Sequence, residues 1–210
     1  MSAPLREIAG PAGRLEALLD DPDGRELRAA VVLAHPHPLL GGTMHTKVVF
    51  QAAKALSRIG CVVLRFNFRG VGLSAGTFGG GSGEMDDFRA ALDFLRERYP
   101  ATRLWAGGFS FGSWVALSVG ATDSRVSTLL AVAPPLASYD FSAVAECPKP
   151  KFFIQGERDD ICPLKRMREF YAQSVEPREL VVIDGADHMF DGQVSQVADA
   201  IEDLLEDWNE

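Results

Sequence analysis

A serine with glycine two positions away on each side, Gly108-Phe109-Ser110-Phe111-Gly112, stands between an apolar run and a segment of helical character. A hydroxyl is a poor nucleophile at neutral pH. It needs a base beside it, and the base needs a third group to orient it. In a sharp strand-to-helix turn, close neighbours must lack side chains, and the turn lifts the hydroxyl clear of the sheet toward a cleft. Ordinary glycine-rich turns share this spacing, so the two partner roles decide. Gly156-Glu157-Arg158-Asp159-Asp160-Ile161-Cys162-Pro163 directly follows the apolar run at 151–155, and Gly185-Ala186-Asp187-His188-Met189-Phe190 follows the run at 180–183. Serine, acid and histidine thus come in the chain order that goes with a nucleophile elbow. Of four histidines, His188 alone follows the last strand. Asp159 and Asp160 compete for the acid's role. Asp187 reads as a turn residue, since adjacent side chains usually point apart.

The elements that must position these groups can be read from periodicity. Residues 29–34, 61–66, 126–132, 151–155 and 180–183 are continuous apolar runs or nearly so, as strands buried on both faces should be. The run into Ser110 makes another. Residues 45–59, 85–99, 164–172 and 194–208 carry apolar residues at helical spacing, and a helix follows Ser110 to about residue 121. Strands alternating with helices imply crossovers and a mainly parallel sheet with helices on both faces. Residues 5–9 and 14–19, split by Gly10-Pro11-Ala12-Gly13, read as an antiparallel hairpin at one edge, followed by a turn at Asp20-Asp21-Pro22-Asp23-Gly24. In such a sheet, loops at the carboxyl ends of the strands converge on one site. Between Pro135 and Pro150 there is room for only a short helix. No cap domain is expected, and the cleft should be open, roofed in part by Tyr139 and Phe141.

Over essentially its whole length the chain resembles an α/β-hydrolase, and more closely the small, capless, dienelactone-hydrolase-like bacterial group. Three segments carry the resemblance: His35-Pro36-His37-Pro38-Leu39-Leu40-Gly41-Gly42-Thr43-Met44, Arg65-Phe66-Asn67-Phe68-Arg69-Gly70-Val71-Gly72-Leu73-Ser74, and the Gly108–Gly112 motif. It implies an α/β-hydrolase fold, Ser110 as nucleophile, His188 as base and an aspartate in the Gly156 loop. Family loops of the form Gly-x-x-Asp-x-x-x-Pro put the acid at Asp159. Dienelactone hydrolases proper use cysteine where this chain has Ser110, which favours ordinary ester chemistry over their lactone hydrolysis. The family's Arg-Gly-x-Gly-x-Ser loop often begins with aspartate where this chain has Asn67.

A tetrahedral intermediate needs two backbone N–H groups aimed at its oxyanion. One should come from Phe111, the residue after the nucleophile, and one from the loop after the 29–34 strand. Pro36 and Pro38 have no N–H to give, which leaves His37 and Leu39, with Leu39 preferred. Leu39, Leu40, Phe109, Tyr139, Phe141, Met189 and Phe190 lie on loops expected near Ser110 and suggest an apolar pocket for a modest acyl group. Arg69 and Lys165 read as solvated charges rather than contacts to an anionic substrate. His35-x-His37 lacks the further ligands a metal needs, so no metal is expected. Gly70-Val71-Gly72-Leu73-Ser74-Ala75 resembles a dinucleotide fingerprint, but more glycines follow where a helix should open, so no cofactor is expected.

The 210 residues, 47% hydrophobic, suit a single domain over 1–210. A net charge of −8 disfavours nucleic acid and anionic membranes as partners. Three scattered cysteines suggest reduced thiols, and the N-terminus lacks the apolar core of a signal peptide. No apolar run approaches a membrane span. The expectation is a cytoplasmic serine esterase, monomer or homodimer, acting on small carboxylic esters. The same triad would serve a thioesterase, a peptidase or an acyltransferase, and the fold alone would also suit a non-catalytic binding protein.

Overall fold

A computed structural model of the chain describes residues 5–22 and 24–208. Strands β1 (Glu7–Gly10) and β2 (Gly13–Asp20) form the opening hairpin, with Ile8 opposite Leu15. Asp23 of the turn that follows lies outside the described residues. Then come β3 (Ala29–Ala34), a 3₁₀ turn (Pro38–Leu40), α1 (Lys47–Arg58), β4 (Cys61–Phe66), α2 (Ser82–Arg98), β5 (Arg103–Phe109) and α3 (Phe111–Thr122). The chain continues through β6 (Val126–Val132), α4 (Ser142–Glu146), β7 (Lys151–Gly156), α5 (Leu164–Gln173), β8 (Arg178–Ile183) and α6 (Val194–Leu205).

The eight strands form one sheet in the order β1-β2-β4-β3-β5-β6-β7-β8. β1 and β2 pair antiparallel, β2 joins β4 antiparallel, and every other pairing is parallel. The chain leaves β3 outward to β4, then crosses back over β3 to β5. The strand order therefore reverses between β3 and β5, and ligands bind outside the carboxyl ends of strands at such a switch point.

Side chains of a strand alternate between faces, and β3 shows both cores of the molecule. Ala29, Val31 and Leu33 point into a cluster with α1 and α6, while Ala30, Val32 and Ala34 point into a cluster with α2 and α3. The stripe Val48, Val49, Ala52, Ala53 and Leu56 of α1 meets Val197, Ala198, Ile201, Leu204 and Leu205 of α6 in the first of these. Truncating Leu56 to alanine there costs about 2–5 kcal/mol.

Helix boundaries depart from the apolar pattern where caps decide. α2 begins at Ser82 rather than near Met85, because the Glu84 carboxylate accepts from the backbone N–H groups of Gly79 and Gly81. α6 stops at Leu205, short of Trp208, whose ring instead packs edge-on against Phe152 at 5.4 Å between centroids. The segment from Pro135 to Pro150 holds only the five-residue α4, so no domain is inserted there.

Candidate active site

The turn from β5 into α3 places Ser110 at φ 52°, ψ −125°, left-handed backbone that L-residues rarely adopt and that costs on the order of 1–3 kcal/mol. The two glycines of the motif make this turn possible. A Cβ on Gly108 would sit 2.4 Å from the carbonyl of Gly112, and one on Gly112 would sit 2.4 Å from His35 O and 2.6 Å from Ala34 O. The first turn of α3 is thus pressed against both its own strand and the end of β3. Hydrogen bonds hold the strained residue: Ser110 N donates to Val132 O at 2.9 Å, and Ser113 Oγ donates to Ser110 O at 2.6 Å.

The loops after β7 and β8 bring the other two groups to Ser110. A Cβ on Gly156 would lie 2.6 Å from Ala186 O and 2.7 Å from Asp187 O, so only glycine lets the two loops lie this close. Arg158 N donates to Ala186 O at 2.8 Å, and Gly185 N donates to the Glu157 carboxylate at 2.8 Å. In this frame His188 Nε2 stands 2.9 Å from Ser110 Oγ, and His188 Nδ1 stands 2.8 Å from Asp159 Oδ2. All three residues are buried. A carboxylate can only accept, so Nδ1 carries the proton and Nε2 is left to accept from the serine hydroxyl. The ring of Phe109 lies 5.5 Å from that of His188.

The competing acids go elsewhere. Asp160 is exposed, and Asp187 is exposed with Oδ1 accepting from Asp191 N at 3.1 Å. Asp159, in contrast, is buried and fully used. Oδ1 accepts from Ile161 N at 2.9 Å and Cys162 N at 2.7 Å, and Oδ2 also accepts from Gln155 Nε2 at 2.8 Å. Gln155, in β7, is a site residue that the sequence reading passed over. Its signal was a polar side chain near the end of a run otherwise buried on both faces. The positive φ of Phe190, 54°, is a second unforeseen feature: this fully buried ring anchors the His188 loop in the core.

The loop after β3 corrects one expectation. Leu39 N, preferred as the second oxyanion donor, donates to His37 Nδ1 at 3.2 Å, and Leu39 does not line the cleft. The cause is the 3₁₀ turn that starts at Pro38, which His37 caps with its own ring. His37 does line the cleft, as does Phe111, and the backbone N–H groups of both lack a protein acceptor among the described residues. His35 braces the loop from beneath. Its Nδ1 donates to Pro36 O at 2.7 Å and its Nε2 accepts from Phe68 N at 3.0 Å, so neither nitrogen is left for a metal. Burial pushes its pKa down to about 4. Asn67 is likewise structural, accepting from Met44 N and donating to the Glu16 carboxylate, each at 2.8 Å.

Above Ser110 opens a cleft of about 320 Å³. Leu40, Tyr139 and Met189 line it as expected, joined by Ile161, Thr46, Ser138 and Pro135. Phe109, Phe141 and Phe190 do not. They are buried in the two cores, Phe141 against Phe170 at 5.8 Å, because the sheet's faces take up large rings before the cleft can. Tyr139 alone of the two expected roof residues borders the cleft, stacked on Trp114 at 4.3 Å. Arg69 is not a free charge, since its guanidinium pairs with the buried carboxylate of Asp87 at 2.7 Å. Lys165 is exposed and 3.9 Å from Glu169. Neither reaches the cleft.

Comparison with known proteins agrees with this construction. The sequence model of the family described as serine aminopeptidase, S33, matches residues 25–147. An uncharacterized protein of Rickettsia prowazekii (strain Madrid E) is 40% identical over 205 residues, covering 93% of this chain and 86% of that protein. An alpha-beta serine hydrolase homologue from Coxiella burnetii superposes with a TM-score of 0.91 at 36% identity, over 98% of each chain. XC6422 from Xanthomonas campestris, described as an a/b serine hydrolase without lid, superposes with a TM-score of 0.88 at 35% identity, over 96% of this chain and 92% of that one. With its switch-point site, its strained serine turn and its uncapped cleft, the chain belongs to the α/β serine hydrolases, in the small branch that has no lid.

Proposed function

We propose that the protein is a serine esterase that cleaves small carboxylic esters through an acyl-enzyme intermediate. The observation that carries this reading is the continuous relay Ser110 Oγ–His188 Nε2 and His188 Nδ1–Asp159 Oδ2, at 2.9 and 2.8 Å, opening on an apolar cleft. Ser110 attacks the ester carbonyl while His188 takes its proton. The proton then passes from His188 to the leaving alkoxide, which departs as the alcohol. Asp159 orients the ring and stabilises its cationic form. The developing oxyanion accepts from the N–H groups of Phe111 and His37, the latter replacing Leu39 in this role. Water, deprotonated by His188, then attacks the acyl-enzyme, and the proton returns to Ser110 as acid is released.

The position of the elbow supports the assignment. The strained backbone falls on the residue that presents its hydroxyl to His188, and strain of this kind is retained where the surrounding structure uses it. No cofactor or metal takes part in these steps. Among the described residues Cys61, Cys147 and Cys162 are unpaired and buried, which supports a reducing, cytoplasmic setting. No helix among them is long and apolar enough to cross a membrane.

The test is turnover of p-nitrophenyl acetate with and without Ser110→Ala, together with labelling by a fluorophosphonate probe. Activity should fall by about 10⁴-fold or more with the fold intact, and labelling should vanish. An alanine variant that keeps its full rate would end the proposal.

A further inference from the structure

Resting on the esterase reading, we infer that this site selects uncharged esters with an extended apolar arm, lying across a ledge at the cleft mouth, and refuses substrates with a free amine. Two independent features carry the inference. The first is charge. Among the described residues no Asp, Glu, Lys or Arg lines the cleft, although such residues make up 24% of the chain. A peptide's α-ammonium brought into such a space must be paired, because an unpaired charge loses its hydration without return. Asp159 is the carboxylate of the site, and it cannot serve. It is buried, and both its oxygens are occupied by Ile161, Cys162, Gln155 and His188. The lining therefore lacks what an aminopeptidase needs.

The second feature is the rim. Leu40, Ile161 and Met189 line the cleft and yet stay 82%, 49% and 44% exposed. They come from three separate loops, those after β3, β7 and β8. Leu39, beside Leu40, adds a fourth apolar side chain at 68%. Eight large hydrophobic residues stand exposed among the described residues, and half of them are these four. A contiguous exposed apolar patch marks a binding surface. Here it continues the wall of a cleft that is small for a ligand pocket, so the occupant committed to is the substrate's own chain, leaving the cleft over Leu40, Ile161 and Met189. Each methylene laid on such a ledge gains part of the fourfold that full burial would give.

The experiment is kcat/KM along the p-nitrophenyl series from acetate through hexanoate, with p-nitrophenyl 6-aminohexanoate and leucine p-nitroanilide as charged counterparts. The rate constant should rise about two- to fourfold per methylene through hexanoate. The aminohexanoate ester should fall at least about tenfold below hexanoate, and the anilide should not be cleaved. The double variant Leu40→Gln, Met189→Gln should shrink the hexanoate-to-acetate ratio by about tenfold. A flat wild-type series, an unchanged ratio in the double variant, or preference for an amine-bearing substrate would overturn the inference. Ser110-dependent acetate turnover would then remain, and the esterase proposal with it. Absence of turnover with every ester would remove both.

Discussion

Two buried histidines lie on loops at the same end of the sheet and face opposite fates. His35 spends both ring nitrogens on backbone groups, Pro36 O and Phe68 N. His188 spends both on side chains, Asp159 Oδ2 and Ser110 Oγ. Backbone partners have no proton to exchange at neutral pH, so His35 can only brace. A carboxylate and a hydroxyl differ in charge and can share a proton with the ring, so His188 can relay one. Burial alone does not separate the two. What separates them is the chemistry of the two atoms each ring touches.

Five substitutions bear on this contrast. Replacing His188 with alanine removes the proposed base and should lower kcat by about 10⁵- to 10⁶-fold, read with p-nitrophenyl acetate. The same change at His35 should leave far more activity in whatever fraction stays folded, and comparable losses at both positions would erase the distinction. Asp159→Asn keeps the shape of the site but turns the ring toward the wrong tautomer, so kcat should drop about 10⁴-fold with little change in KM.

The fourth substitution, again at His35, concerns stability rather than rate. His35 has a folded pKa of about 4 against 6.5 for the free side chain, so the folded form keeps it neutral while the unfolded chain takes up a proton. Its contribution is therefore full above pH 6.5 and is lost as pH falls through the window from 6.5 to 4, up to about 3 kcal/mol in all. Urea unfolding at pH 7.5 and 4.5 should show a steeper loss in the wild type than in His35→Asn. Equal slopes would mean that His35 is charged in the fold.

The smallest effect is expected at Gln155. Gln155→Met removes the N–H that shares Asp159 Oδ2 with His188. The less satisfied carboxylate should hold the imidazolium more strongly and move the acid limb of the kcat/KM profile upward, with about a tenfold loss in kcat. A variant with lower stability and an unmoved limb would reduce Gln155 to a packing residue.

Much of this is legible in the sequence. Strand runs such as 61–66 and 126–132 coincide with β4 and β6, because a strand covered on both faces must be apolar throughout. The order of Ser110, Asp159 and His188 along the chain placed them at strand ends that the fold brings together. Three kinds of detail were not legible. The fate of loop aromatics was one: apolarity shows that Phe109, Phe141 and Phe190 will be covered, but not whether by core or by ligand. Another was backbone direction in a proline-rich turn, where His37 and Leu39 are equal by composition and only the 3₁₀ geometry after Pro38 separates them. Gln155 escaped for a third reason, since its partner lies across a loop whose path no periodicity describes.

Among the described residues nothing folds down over Ser110, and this has a kinetic consequence. On the esterase proposal, water reaches the acylated serine through the open mouth of the cleft, at a concentration no alternative alcohol or amine acceptor can match. Partition of the intermediate should therefore run to the free acid, and no opening motion stands between product and escape.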